Sequence, residues 1–245
     1  NRKAKYFRQY LGKIGNKYMT NIITIKNLTK SFQTKDVETK VLRGIDLEVK
    51  EGEFLGIMGK SGAGKSTLMY QIGLLDHPTG GEIVIAGVNT EALATEERTQ
   101  MRLSDLGYVF QDYALIPELT ALENVMIPLL MKGLSHEEAE NISKEILERM
   151  ELLHRTANKP SQLSGGEQQR VSIARAMAHK PKILFADEPT ANLDTASGHS
   201  VIQLFQDLHK AGQTIIMVTH EEEYSKYCDR IVYLEDGKIV REVIQ

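Results

Sequence analysis

Short apolar runs separated by polar stops dominate the chain. Residues 54–58, 182–186 and 214–218 are runs of this kind, each ending at glycine or at polar residues. Without alternation they read as strands covered on both faces, the pattern of a buried parallel sheet. The Ile22-Ile23-Thr24-Ile25 run and the alternation Ile45, Leu47, Val49 instead predict half-buried antiparallel strands near the N-terminus. Ser135-His136-Glu137-Glu138 is a capping-box pattern ahead of Ile142, Ile146, Leu147 and Met150, which marks an amphipathic helix. Near the C-terminus, Asp236-Gly237 between two apolar runs signals a hairpin.

The first run feeds into Gly59-Lys60-Ser61-Gly62-Ala63-Gly64-Lys65-Ser66. This is a full G-x-x-x-x-G-K-S match, with a strand before it and a helix expected over about 65–75. Such a loop closes backbone N–H groups on phosphates, with Lys65 reaching the β- and γ-phosphates and Ser66 holding Mg²⁺. Thr67 is placed to touch the α-phosphate. The second run ends at Asp187-Glu188: one acid suits a metal and the next suits a water, although paired acids at a strand end are also a common solvated edge. Leu163-Ser164-Gly165-Gly166-Glu167-Gln168-Gln169-Arg170 opens another helical stretch and offers further N–H donors at a positive helix end. One triphosphate needs one cradle, so the spare cradle is expected to grip a nucleotide held by a second copy of the chain.

Together these motifs resemble the ATP-binding cassette (ABC) family over residues 20–245. The resemblance implies an α/β P-loop fold: a RecA-like core, an antiparallel β subdomain, and a helical subdomain at about 112–165. It implies ATP and Mg²⁺ as ligands, with Asp187 as the metal-binding acid and Glu188 acting on the lytic water. Gln111, after Tyr108-Val109-Phe110, resembles the glutamine that touches Mg²⁺ and that water; His220 resembles the switch histidine. Ala191-Asn192-Leu193-Asp194 resembles the loop through which two subunits meet. Phe32 stands where the family places an aromatic against adenine, unless it is a core residue. The stretches 74–78, 119–125 and 186–194 look like the group of lipoprotein-release, macrolide-export, peptide-resistance and cell-division ATPases. That group implies separate transmembrane permease subunits and a cytoplasmic, membrane-peripheral location. Its cell-division branch leaves open a role in cell-wall hydrolysis without transport, and a soluble ABC protein is a further alternative. Residues 112–117 are expected to expose apolar side chains to the membrane partner.

Composition narrows this picture little. The 245 residues are 41% hydrophobic and 26% charged, as in a globular protein long enough to bury a core. Net charge is −3, but residues 1–18 contain six basic residues and no acid, which leaves the rest at −9. The acidic body argues against nucleic acid as a partner. The basic tail reads either as an arm toward anionic lipid or as sequence outside the native domain. The one cysteine, Cys228, excludes an intrachain disulfide.

Overall fold

The computed structural model describes residues 20–34 and 37–245, so the basic tail expected at 1–18 lies outside the described residues. Two sheets organise the chain. The first is antiparallel, in the order β2–β1–β4–β5, from β1 (Asn21–Thr34), β2 (Val37–Lys50), β4 (Gly80–Ile85) and β5 (Val88–Asn89). The second has the order β10–β9–β3–β8–β7–β6. Its parallel strands are β3 (Phe54–Met58), β6 (Leu106–Val109), β7 (Ile183–Asp187), β8 (Thr214–Val218) and β9 (Arg230–Glu235). The antiparallel edge β10 (Lys238–Ile244) closes the expected hairpin through Asp236 and Gly237, whose φ values of 45° and 76° are those of a tight primed turn.

All five residues of β3, β7 and β8 are buried, as the unbroken runs predicted. Successive side chains serve opposite faces of the sheet. Phe54, Leu184, Ala186, Ile215 and Met217 join one cluster, with α3 (Ala121–Met131), α4 (His136–Arg149), α5 (Gly165–Met177) and α6 (Thr195–Lys210). Leu55, Ile57, Ile183, Phe185, Ile216 and Val218 join the other, with α1 (Lys65–Ile72) and the antiparallel sheet. In β2 the alternation holds: Ile45, Leu47 and Val49 are buried and the residues between Leu47 and Val49 and on either side of Leu47 are exposed.

The structure extends and trims several expectations. α1 ends at Ile72 rather than near residue 75, because Gly73 caps it and Leu74 follows with φ 60°. α2 (Thr95–Asp105) and α6 were not anticipated. The Ser135 capping box is present: its Oγ accepts from Glu138 N–H, and Glu138 accepts from Ser135 N–H. A final four-residue helix, α7 (Glu222–Ser225), precedes β9. No described helix is long and apolar enough to cross a membrane.

Candidate nucleotide site

The C-terminal ends of β3, β7 and β8 converge on one cavity of about 640 Å³, where an open α/β sheet places its ligands. Gly59, Lys60, Ser61, Gly62, Gly64, Lys65, Ser66 and Thr67 line it, with Glu188 from beyond β7 and His220 from beyond β8. A Cβ on Gly59 would lie 2.3 Å from the Leu234 carbonyl oxygen, so only glycine admits this loop path. Gly64 stands at the N-cap of α1 with φ 101° and supplies no side-chain cap. The first N–H groups of α1, which have no intrahelical partner, and the positive helix end are therefore available to phosphate oxygens.

Lys65 is buried, and its ammonium donates to the carbonyls of Gly59 (2.9 Å) and Lys60 (3.2 Å). An ammonium has three donors, so one remains for an anion in the cavity. Ser66 Oγ donates to Asp187 Oδ1 at 3.1 Å, and Tyr70 O–H donates to the second oxygen, Oδ2, at 3.0 Å. Burial raises the Asp187 pKa against these two hydrogen bonds; burial and the Asp187 charge push the Tyr70 hydroxyl up to about 12. Motif reading does not single out Tyr70, which stands one turn of helix beyond Ser66 and bonds the same carboxylate. Beside this pair, Glu188 Oε2 lies 3.2 Å from His220 Nδ1. Glu188 has φ 44°, an uncommon backbone for a non-glycine residue, and its N–H donates to the Val218 carbonyl. Its side chain lines the cavity.

Not every expected residue comes to this cavity. Ala63 is buried beneath the loop and lines a neighbouring depression instead. Gln111 is exposed and is not part of the lining. Phe32 is 46% exposed, so it is not a core residue, and it too lies outside the lining; Lys30 Nζ is 4.9 Å above its ring. Val41 of β2 also lines the cavity. Ser164, Gly165 and Gly166 are also absent from the cavity. They open α5, where Ser164 Oγ accepts from Glu167 N–H and Glu167 accepts from Ser164 N–H, with Arg155 paired to Glu167 at 2.9 Å. Asp194 caps α6 by accepting from Ser197 N–H.

A second, apolar groove of about 450 Å³ lies between α2, β6, α3 and α5. Leu75, Leu103, Phe110, Ile127, Pro128 and Met131 line it, and Met131 is 64% exposed. The expectation that residues 112–117 expose their apolar side chains is only half met. Ile116 is exposed, but Leu115 packs against the core, and of that segment only Ala114 lines the groove.

Comparisons with known proteins converge on one family. The ABC transporter family model matches residues 42–191. The ABC transporter ATP-binding protein MJ0796 of Methanocaldococcus jannaschii is 46% identical over 226 residues, 90% of this chain and 96% of the relative. The lipoprotein-releasing system ATP-binding protein LolD of Aquifex aeolicus is 44% identical over 92% of this chain and 99% of its own length. The macrolide export ATP-binding/permease protein MacB of Chlorobium luteolum is 41% identical over 90% of this chain, which spans 33% of that protein. A dimeric post-hydrolysis structure of MJ0796 bound to ADP and Pi superposes with a TM-score of 0.85 at 45% identity, covering 91% of this chain and 98% of the other. The phosphate-loop cavity, the acid pair beyond β7 and these relatives carry the same conclusion: the chain belongs to the ABC transporter family, as its ATP-binding, ATP-hydrolysing component.

Proposed function

We propose that two copies of this chain close around two ATP molecules and drive a separate membrane subunit that exports or extracts a peptide, lipoprotein or amphiphile. The observation that carries the two-copy reading is the separation of the Ser164–Gly166 turn, called the signature turn below, from the cavity. Ser164, exposed at the start of α5, faces no phosphate of its own chain, while Gly165 and Gly166 N–H groups lie at a positive helix end. The dimeric structures of MJ0796 support it. The names of LolD and MacB support the membrane partner, with MacB joining ATP-binding and permease functions in one protein. The apolar groove beside Met131 is the natural seat for a short helix of that subunit, since exposed apolar surface of this kind marks an interaction site.

In the cavity, the loop N–H groups and Lys65 hold the phosphates. Glu188, fixed by its His220 contact, orients the attacking water and takes its proton. His220 then donates to the γ-phosphate. Ser66 and Asp187 are hard oxygen donors bonded to each other at the phosphate end, a set that fits Mg²⁺. When bound, that ion neutralises charge on the phosphate oxygens. Gln111 reaches the site only by moving with the helical subdomain.

Glu188→Gln tests this reading. It should keep ATP affinity, lose turnover by roughly 10²-fold or more, and accumulate as an ATP-bound dimer in sedimentation. Near-normal turnover removes Glu188 from the mechanism. The cell-wall alternative shares this chemistry, and the membrane protein that copurifies separates the two.

A further inference from the structure

Residues 111–114 form a strap whose backbone is held from two sides. Tyr113 and Ala114 are consecutive non-glycine residues with φ 64° and 47°. The left-handed region is unfavourable for such residues, so surrounding contacts must hold them there. From α5, Arg175 does so: Nη1 donates to the Ala114 carbonyl at 2.6 Å and Nη2 to the Tyr113 carbonyl at 3.0 Å. Its guanidinium is taken from water to make these bonds, and burial lowers its pKa.

The other side of the strap meets the loop at 191–194. Asn192 Nδ2 donates to the Gln111 carbonyl at 2.9 Å, and Tyr113 O–H donates to the Asn192 carbonyl at 3.3 Å. Tyr113 also abuts the signature turn, since a Cβ on Gly165 would come within 2.9 Å of its hydroxyl oxygen. The strap thus contacts both pieces of surface that a second copy is to meet, the start of α5 and the Asn192 loop.

We propose that Arg175 and Tyr113 are positioning residues that lock the Ser164–Gly166 turn and the Asn192 loop into one preformed surface for the second copy. The proposal rests on the two-copy reading above. A planar fork serves two adjacent carbonyls at once, which a lysine ammonium cannot reproduce with the same rigidity. A surface ordered in advance leaves less conformational freedom to lose on association. Ala114 and Arg175 also line the apolar groove, so a helix seated there would touch the clamp itself.

The test uses the full chain carrying Glu188→Gln, with ATP-driven dimerisation followed by sedimentation. Tyr113→Phe and Arg175→Lys, each added to that background, should raise the ATP concentration for half-dimerisation about fivefold or more, the loss of about one net hydrogen bond. Fluorescent-ATP binding by the monomer and the thermal midpoint should stay as in the parent, and amide exchange at residues 191–194 should quicken. The double variant should fall short of the sum of the two effects, as residues of one network do. Unchanged dimerisation in both variants, or a loss that merely follows weaker ATP binding or a lower melting point, overturns the proposal alone. A Glu188→Gln parent that never dimerises removes the two-copy reading and this proposal with it.

Discussion

Two helix starts in this molecule offer N–H groups to phosphate, and they are finished in opposite ways. α1 begins at Gly64, left-handed and without a side-chain cap, inside a cavity with Lys65, Glu188 and His220. α5 begins at Ser164, outside that cavity, closed by a reciprocal capping box with Glu167 and braced by Arg155. The capping box satisfies the third N–H of α5 and leaves those of Gly165 and Gly166 open, whereas the uncapped start of α1 leaves its first three N–H groups for an anion to complete. On the proposed two-copy reading, the first end is the receptor for nucleotide and the second a partly formed surface for a nucleotide bound by the other copy.

The comparison breaks most cleanly at Gly166. A Cβ there would lie 3.0 Å from Ser197 Oγ, and a carboxylate would meet an incoming γ-phosphate with like charge. Gly166→Glu should abolish ATP-driven dimerisation and turnover, while fluorescent ATP still binds the monomer. Mixing it with Lys65→Ala should restore part of the turnover, because one of the two composite sites keeps both intact halves. Loss of ATP binding by Gly166→Glu monomers would mean that the signature turn serves its own chain.

At the other helix start, Lys65→Ala should weaken ATP binding to the monomer by roughly 10- to 100-fold, the worth of about 1.5–3 kcal/mol for bonds to a charged group. The Gly59 and Lys60 carbonyls that accept from Lys65 are near the loop surface, so water can replace the ammonium and the thermal midpoint should move little. Equal loss of affinity in Gly166→Glu would erase the distinction between the two ends.

Sequence alone made one of these ends far more legible than the other. Residues 59–66 are contiguous, and their spacing carries both the backbone path and the chemistry. Asp187 and Glu188 were readable because a buried run stops at them. Tyr70, Val41 and Arg175 were not, since each acts through a partner far along the chain: Asp187, the phosphate loop, and the carbonyls of Tyr113 and Ala114. Phe32 lies outside the cavity lining, and its contact with adenine is a proposal. The strands of the parallel sheet were visible as apolar runs, whereas α2, with Arg98 and Met101 as its buried residues, carries too thin an apolar stripe to announce itself.

The groove gives a smaller test of what lies outside the nucleotide chemistry. Met131 is exposed at its rim, so Met131→Asp should leave the fold and the ATPase of the isolated subunit unchanged. Partner-stimulated turnover should fall several-fold, since a buried, unpaired carboxylate opposes a seated apolar helix. Full stimulation in that variant would move the docking surface elsewhere.

The smallest expected effect distinguishes the two helix starts by stability alone. Ser164 Oγ accepts from Glu167 N–H at 3.3 Å, so Ser164→Ala should destabilise the ligand-free subunit by about 1 kcal/mol in urea denaturation, the usual value of an N-cap. The loss should not be larger, because Glu167 still accepts from the main-chain N–H of residue 164 at 2.8 Å and keeps its Arg155 partner. Added ATP should stabilise the variant and the parent equally, since monomeric ATP binds at α1. A cost near zero would show that the capping box does not hold α5 closed, and the start of α5 would then be as dependent on phosphate as the start of α1.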